Sequence, residues 1–251
     1  MIEDMYITGV KLQKNIADRS SYVFSLPVIR NLDQLKLNKK ITFFVGENGT
    51  GKSTLLEAIA VNMGFNAEGG TRNFNFASKE THSPLHQSIV VVKGVRRPRD
   101  GFFLRAESFY NVATEVDRLE DIRISTQKRF IDNYGGKSLH NQSHGESFMS
   151  LVLNRFRGNS LFILDEPEAA LSPTRQLSLM VKINELEKQN CQFIISTHSP
   201  ILLAYPNADI FVLNDSEIRL TVYENTEHYT ITKQFLNNTE KMLSYLFEEN
   251  C

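Results

Sequence analysis

Apolar residues along this chain fall into two arrangements: short continuous runs, and longer stretches that repeat every three to four positions. Ile41–Val45 (Ile-Thr-Phe-Phe-Val), Ser88–Lys93, Phe102–Glu107, Leu161–Leu164 and Gln192–Ser196 have strand length, and the most apolar of them read as strands buried on both faces. Tyr6–Leu12 and Tyr22–Ile29 are further strand-like segments, separated by polar Asn15–Ser21. Asp209–Leu213 and Ile218–Tyr223 read as a hairpin about Asn214–Glu217. Helical spacing is expected over Thr54–Met63, from Phe109 to about Asp132, over Phe148–Phe156, over Pro173–Lys188, and from about Thr232 to Phe247. Asn66–Pro84 is rich in Gly, Asn, Ser and Thr and reads as a long surface loop, and Gly135-Gly136 break the helical pattern. Strands interleaved with helices predict an α/β fold with a mostly parallel central sheet. An antiparallel portion is expected from the N-terminal strands, and a helical region covers roughly 109–158. No heptad pattern, internal repeat or low-complexity tract interrupts this plan.

One polar stretch changes the picture. Gly46–Ser53 reads Gly-Glu-Asn-Gly-Thr-Gly-Lys-Ser and fits G-x-x-x-x-G-K-[ST], between the Ile41–Val45 strand and a helix. Glycines let such a loop turn its amides inward, at the positive end of the following helix dipole. Asn48, Gly49, Thr50, Gly51, Lys52, Ser53 and Thr54 are therefore candidates to cradle phosphate. Lys52 would reach the β- and γ-phosphates, and the Ser53 hydroxyl would ligate Mg²⁺.

A second polar cluster ends the run Leu161-Phe-Ile-Leu with Asp165-Glu166-Pro167. Ligands of parallel sheets bind at the carboxyl ends of the strands. Asp165 is placed there to hold Mg²⁺ through water, and Glu166 to orient or deprotonate a water. His198, in Thr197-His-Ser-Pro200 at the end of another apolar run, is a candidate γ-phosphate contact. Ser143-His-Gly-Glu146 opens a helix with a hydroxyl and amides that suit an anion, although an ordinary serine N-cap explains the same residues. Tyr22 reads either as a half-buried strand tyrosine or as a stacking surface for adenine. Arg96, Arg97 and Arg99 make a basic turn that is either a solvated face or a phosphate or nucleic-acid contact.

Bulk composition narrows the partners. The 251 residues are 41% hydrophobic and 23% charged, as in an ordinary globular protein. A net charge of −1 gives no bulk electrostatic drive toward nucleic acid or anionic membrane. No apolar run is long enough to span a bilayer. The N-terminus lacks a signal-peptide core, and two unpatterned cysteines suit a reducing compartment, so a cytoplasmic location is expected.

Taken in order, the Gly46–Ser53 loop, the Glu107 region, Ser143–Glu146, Leu161–Glu166 and His198 resemble the ABC-type P-loop ATPases. The resemblance covers nearly the whole chain. It is nearer the chromosome-maintenance, RecF-like and AAA_21 branch than the transporters, because of Ser-His-Gly-Glu and Thr-His-Ser-Pro. It implies one ABC-type nucleotide-binding domain over 1–251, with the helical part at 109–158 inserted. Lys52, Glu166 and His198 become the catalytic set. Ser143, Gly145 and Glu146 become a signature motif that caps ATP held by a second subunit. Ala170-Leu171-Ser172 would match the D-loop. Glu107 falls where a Q-loop glutamine is usual and joins Ser53 and Asp165 as a metal contact. The implied activity is Mg²⁺-dependent hydrolysis of ATP by an ATP-closed, head-to-tail homodimer. Three roles are open: a soluble motor or switch in DNA maintenance or anti-invader defence, preferred from the signature type; the ATPase subunit of a membrane transporter; or a nucleotide-gated regulator of a separate nuclease or toxin.

Overall fold

A computed structural model of the chain describes residues 4–14, 20–72, 83–106, 109–124, 129–215 and 217–247. Its centre is a six-stranded sheet formed by β3 (Ile41–Val45), β5 (Asp100–Arg105), β6 (Ser160–Asp165), β7 (Gln192–Ser196), β8 (Asp209–Leu213) and β9 (Ile218–Thr221). The strand order is β5-β6-β7-β3-β8-β9. The first five strands are parallel and β9 returns antiparallel to β8, as the hairpin pattern predicted. A second sheet is antiparallel, ordered β2 (Gln34–Lys36), β1 (Ile7–Leu12), β4 (Ile89–Lys93).

Strand side chains alternate between faces, which explains why the central runs are apolar throughout. Phe43, Val45, Phe102, Leu104, Phe162, Leu164, Phe193 and Ile195 bury one face together with α3 (Phe109–Asp121), α4 (His144–Arg155) and α5 (Pro173–Lys188). Phe44, Phe103, Leu161, Ile163 and Ile194 bury the other, against α2 (Lys52–Asn62) and the N-terminal sheet. Each fully buried aromatic or branched side chain contributes about 1.5–3 kcal/mol.

One polar residue ties the two sheets. Gln192 is fully buried on β7; its Oε1 accepts from the amides of Tyr6 and Ile7, both at 2.9 Å, and its Nε2 donates to the Ile7 carbonyl at 2.7 Å. Satisfying three buried backbone groups with one amide makes the junction a specific one.

Five expectations change, the first being that the helix from Phe109 ends at Asp121 rather than near Asp132. Tyr22–Ile29 is no strand: Tyr22–Ser25 is a 3₁₀ turn and Pro27–Arg30 a short helix, α1, with Pro27 in its first turn. Pro27 suits a helix start, and Val28 is drawn under the phosphate loop, where its amide donates to the Thr50 carbonyl at 3.2 Å. Tyr22 is accordingly 62% exposed rather than half-buried in a sheet. The stretch expected as a loop from Asn66 begins as structure, because Gly70 and Phe103 exchange both backbone hydrogen bonds at the edge of β5; residues 73–82 lie outside those described. Beyond the short α6 (Pro200–Leu203) and the β8–β9 hairpin, the C-terminal helical region starts earlier than expected. It begins as α7 (Glu227–Asn237), capped by Thr226, and breaks before α8 (Thr239–Phe247). Neither helix buries a residue, and Ile231, Leu236, Tyr245, Leu246 and Phe247 stay exposed.

Candidate nucleotide site

The sheet brings β3, β6 and β7 side by side, so that the segments leaving their carboxyl ends gather on one edge. After β3 comes the phosphate loop, whose lip at Asn48 and Gly49 is exposed. Gly51 closes it at φ 96°, a left-handed geometry, and a Cβ there would lie 2.5 Å from Val28 Cγ1. Only glycine meets both demands without strain. No side chain caps the start of α2. Lys52 is buried, and its Nζ donates back into the loop, to the carbonyls of Gly46 at 2.7 Å and Glu47 at 2.8 Å. Burial pushes its ammonium below the usual lysine value, against the pull of Glu166, Asp165 and Glu168.

Ser53 and Asp165 are brought together: the Ser53 hydroxyl donates to Asp165 Oδ1 at 3.0 Å. Ser196 also donates to Asp165 Oδ1, and Arg105 Nε lies 3.6 Å from Oδ2. Burial holds the Asp165 carboxyl above the usual range, against the hydrogen bonds from Ser196 and Ser53 and the Arg105 charge. A small divalent cation fits this corner. Hydroxyl and carboxylate oxygens are the donors magnesium prefers, and a desolvated carboxylate is favoured in its charged form by a nearby cation. No group of three or more His, Cys, Asp or Glu among the described residues could hold a metal. Glu107, the third expected metal contact, lies outside the described residues.

Glu166 follows Asp165 in a left-handed conformation, φ 50° and ψ 53°, at a cost of roughly 1–2 kcal/mol for a residue with a Cβ. The turn is held by its amide, which donates to the Ser196 carbonyl at 3.1 Å. It leaves the carboxylate 39% exposed and 3.6 Å from His198 Nε2. A solvent-facing acid one residue beyond Asp165 can accept a proton from water.

Ser143, His144 and Glu146 are exposed at the start of α4, while Gly145 is buried. Glu146 Oε2 accepts from both the Ser143 amide, at 3.0 Å, and the Ser143 hydroxyl, at 2.6 Å. In the single chain the helix start is thus closed by a capping box between Ser143 and Glu146. The basic turn lies at the opposite end of the sheet from the phosphate loop. The Arg99 amide donates to Asn159, just before β6 begins, and Arg96 pairs with Asp4 at 2.9 Å.

Four side chains at the site went unassigned from sequence. Arg105 joins Asp165 to Glu57, donating to Glu57 Oε2 at 2.6 Å. Glu168 is half-buried and accepts from the His198 amide; burial pushes its carboxyl up. Ser196 stands opposite Asp165 in register, and His228 on α7 touches His198. Glu168 and Ser196 had a faint signal, being polar residues at the ends of apolar runs. Arg105 and His228 had none.

The phosphate loop, the carboxylates after β6 and the histidine after β7 together define a P-loop ATPase of the ATP-binding-cassette type. A family model described as an AAA domain, AAA_23, matches residues 21–249, and the chain belongs to that family rather than to the AAA_21 group anticipated from sequence. An uncharacterized ABC transporter ATP-binding protein of Haemophilus influenzae is 28% identical over 188 residues, 70% of each chain. Protein McbF of Escherichia coli is 24% identical over 91% of this chain and 92% of its own length. The ribose import ATP-binding protein RbsA of Bacillus cereus is 25% identical over 68% of this chain, which spans 37% of that protein. Among solved structures, cbiO1 of Clostridium perfringens, part of the ABC transporter complex cbiONQ, superposes with a TM-score of 0.53 at 17% identity. The match covers 98% of this chain and all of that one. The chain hydrolyses ATP to ADP and phosphate.

Proposed function

We propose that the chain is the ATP-hydrolysing subunit of a membrane transport assembly, working as a head-to-tail pair with Mg²⁺. The observation that carries this is the likeness to the Haemophilus transporter ATP-binding protein over 70% of both chains. No helix among the described residues is long and apolar enough to cross a membrane. A partner chain would supply that part. The DNA-maintenance reading preferred from the signature type, and a nuclease partner, draw no support from these relatives.

On this reading Lys52 exchanges its loop carbonyls for β- and γ-phosphate oxygens. The α2 amides, left without a side-chain cap, face the same anion. Ser53 and Asp165 would hold Mg²⁺, which draws charge off the phosphates and fixes their orientation. Glu166 takes a proton from the attacking water, and His198 Nε2 faces the γ-phosphate beside it. Ser143, Gly145 and Glu146 would close over the nucleotide of the second copy. Tyr22, exposed on the segment leading into α1, would offer its ring to adenine.

Glu166→Gln should keep ATP binding and lose hydrolysis by about 10²-fold or more. The test fractionates cells carrying this variant and the wild type. Transport predicts that both sediment with membranes and that detergent extracts them with a polytopic partner, whose reconstitution in vesicles raises the wild-type ATPase rate. A wholly soluble protein whose ATPase rises with duplex DNA at low salt would replace this reading with the DNA-maintenance one.

A further inference from the structure

His198 is held at three points. Its amide donates to Glu168, its ring Nδ1 lies 3.2 Å from Nε2 of His228, and its Nε2 lies 3.6 Å from Glu166 Oε1. Nε2 is buried and makes no hydrogen bond within the described residues. The backbone on either side is fixed as well, since the Ser199 amide donates to Thr197 Oγ1 at 3.0 Å. What the backbone does not fix is which ring nitrogen carries the proton.

The contact with His228 decides it. Two imidazole nitrogens 3.2 Å apart share one proton, so one donates and the other accepts. If His198 donated from Nδ1, neutral His198 would turn the lone pair of Nε2 toward the Glu166 carboxylate, negative against negative. If His228 donates from Nε2, His198 carries its proton on Nε2, and that N–H faces Glu166. Between these two neutral-ring arrangements the second is electrostatically favoured. Burial, His198 and Lys52 also push His228 below the usual histidine value, against the pull of Glu227, which favours its neutral form as a whole over the charged one.

We propose that His228 is a positioning residue: its Nε2–H donates to Nδ1 of His198 and holds the catalytic-end histidine in the Nε2–H tautomer. Only that tautomer of a neutral ring can donate to a phosphate oxygen or to Glu166. This brings α7 into the nucleotide site, although it lies far from the phosphate loop in sequence. The helix is set for the task from its start. Thr226 is buried and caps it, the Thr226 hydroxyl accepting from the Tyr229 amide, and the Tyr223 hydroxyl just before it donates to the Pro200 carbonyl at 2.8 Å. Between α7 and the loop lies a cavity of about 370 Å³ lined by Gly46, Glu47, His198, Val212, His228 and Ile231. Within that wall His228 is the side chain that reaches Nδ1.

The positioning role of His228 rests on the part His198 plays in hydrolysis, and the two are tested separately. Long-range ¹H–¹⁵N spectra of histidine-labelled protein report the tautomer without nucleotide. His198 should show a protonated Nε2 and an unprotonated Nδ1. His228→Leu, which removes the donor, should mix the two tautomers, and kcat for ATP should fall about tenfold with KM changed less than about twofold. His228→Gln, whose amide can still donate, should restore the tautomer and bring kcat to within about threefold of wild type. A proton on Nδ1 of His198 in the wild type overturns the proposal. So does a folded His228→Leu protein with wild-type spectra and kcat, or a Gln variant no better than Leu. If His198→Ala hydrolyses ATP normally, the role of His198 falls, and the spectra still decide whether His228 sets its tautomer.

Discussion

Two helix starts in this molecule look alike in sequence and behave differently in space. α2 follows Gly-Thr-Gly and begins at Lys52; α4 follows Gln-Ser and begins at His144. Both direct amides and a small polar side chain outward from the positive end of a helix dipole. At α2 no side chain caps the first turn, Lys52 is buried within it, and Ser53 already touches Asp165. At α4 the cap is filled: Glu146 folds back on Ser143, Arg175 stands 3.8 Å from Glu146, and Ser143 and His144 are exposed. An uncapped start leaves its amides open to water or to a ligand, whereas at a capped one a side chain must first be displaced. The first is a site within one chain. The second becomes part of a site only when another surface arrives, which is how Ser143 enters the proposed function.

The largest test breaks the comparison outright. Lys52→Ala should remove hydrolysis by about 10²-fold or more, and Ser143→Arg should do likewise as a homodimer, each for a different reason. Mixed together with free subunit exchange, about half the dimers contain one of each, and half the sites in those are whole, so activity should return to about a quarter. Verified exchange with no recovery, together with activity that persists in demonstrable monomer, would show that α4 takes no part across an interface.

A smaller effect sharpens the contrast at Gly145. A Cβ there would lie 2.7 Å from the carbonyl oxygen of Ala170 and 2.2 Å from Arg175 Nη1. The arginine can swing aside, but the carbonyl belongs to the turn after Glu166. Gly145→Ala should therefore cost about 1–3 kcal/mol in denaturant unfolding and lower kcat through that turn. Unchanged stability and rate would mean that α4 is mechanically independent of the turn that carries Glu166.

The smallest effect is expected at the basic turn, which lies beyond the reach of either helix start. Replacing Arg96, Arg97 and Arg99 by Ala should leave basal ATPase within about twofold. Loss of the exposed Arg96–Asp4 pair should cost no more than about 0.5 kcal/mol. A several-fold loss of DNA-stimulated ATPase in this variant would instead make the turn a phosphate-backbone contact.

Much of the fold was legible because the central strands bury both faces. Ile41–Val45, Leu161–Leu164 and Phe193–Ile195 had to be almost wholly apolar, and such runs stand out against any neighbours. The phosphate loop was legible for a related reason. Its glycines, lysine and serine act within one short consecutive stretch, Gly46–Ser53, so their spacing is fixed by the backbone alone. Tyr22–Ile29 misled because an apolar run does not say what it packs against. Pro27 and the fit of Val28 beneath Gly51 made it a turn and a helix. The grouping of polar residues along one strand end or one loop was therefore determined by the sequence alone. Tertiary structure alone decided the pairings across the sheet: Gln192 with Tyr6 and Ile7, Arg105 with Glu57 and Asp165, and His198 with His228. Partners that stand far apart along the chain leave no periodicity or spacing to read. Their hydrogen bonds exist only once packing has brought the strands and helices into register.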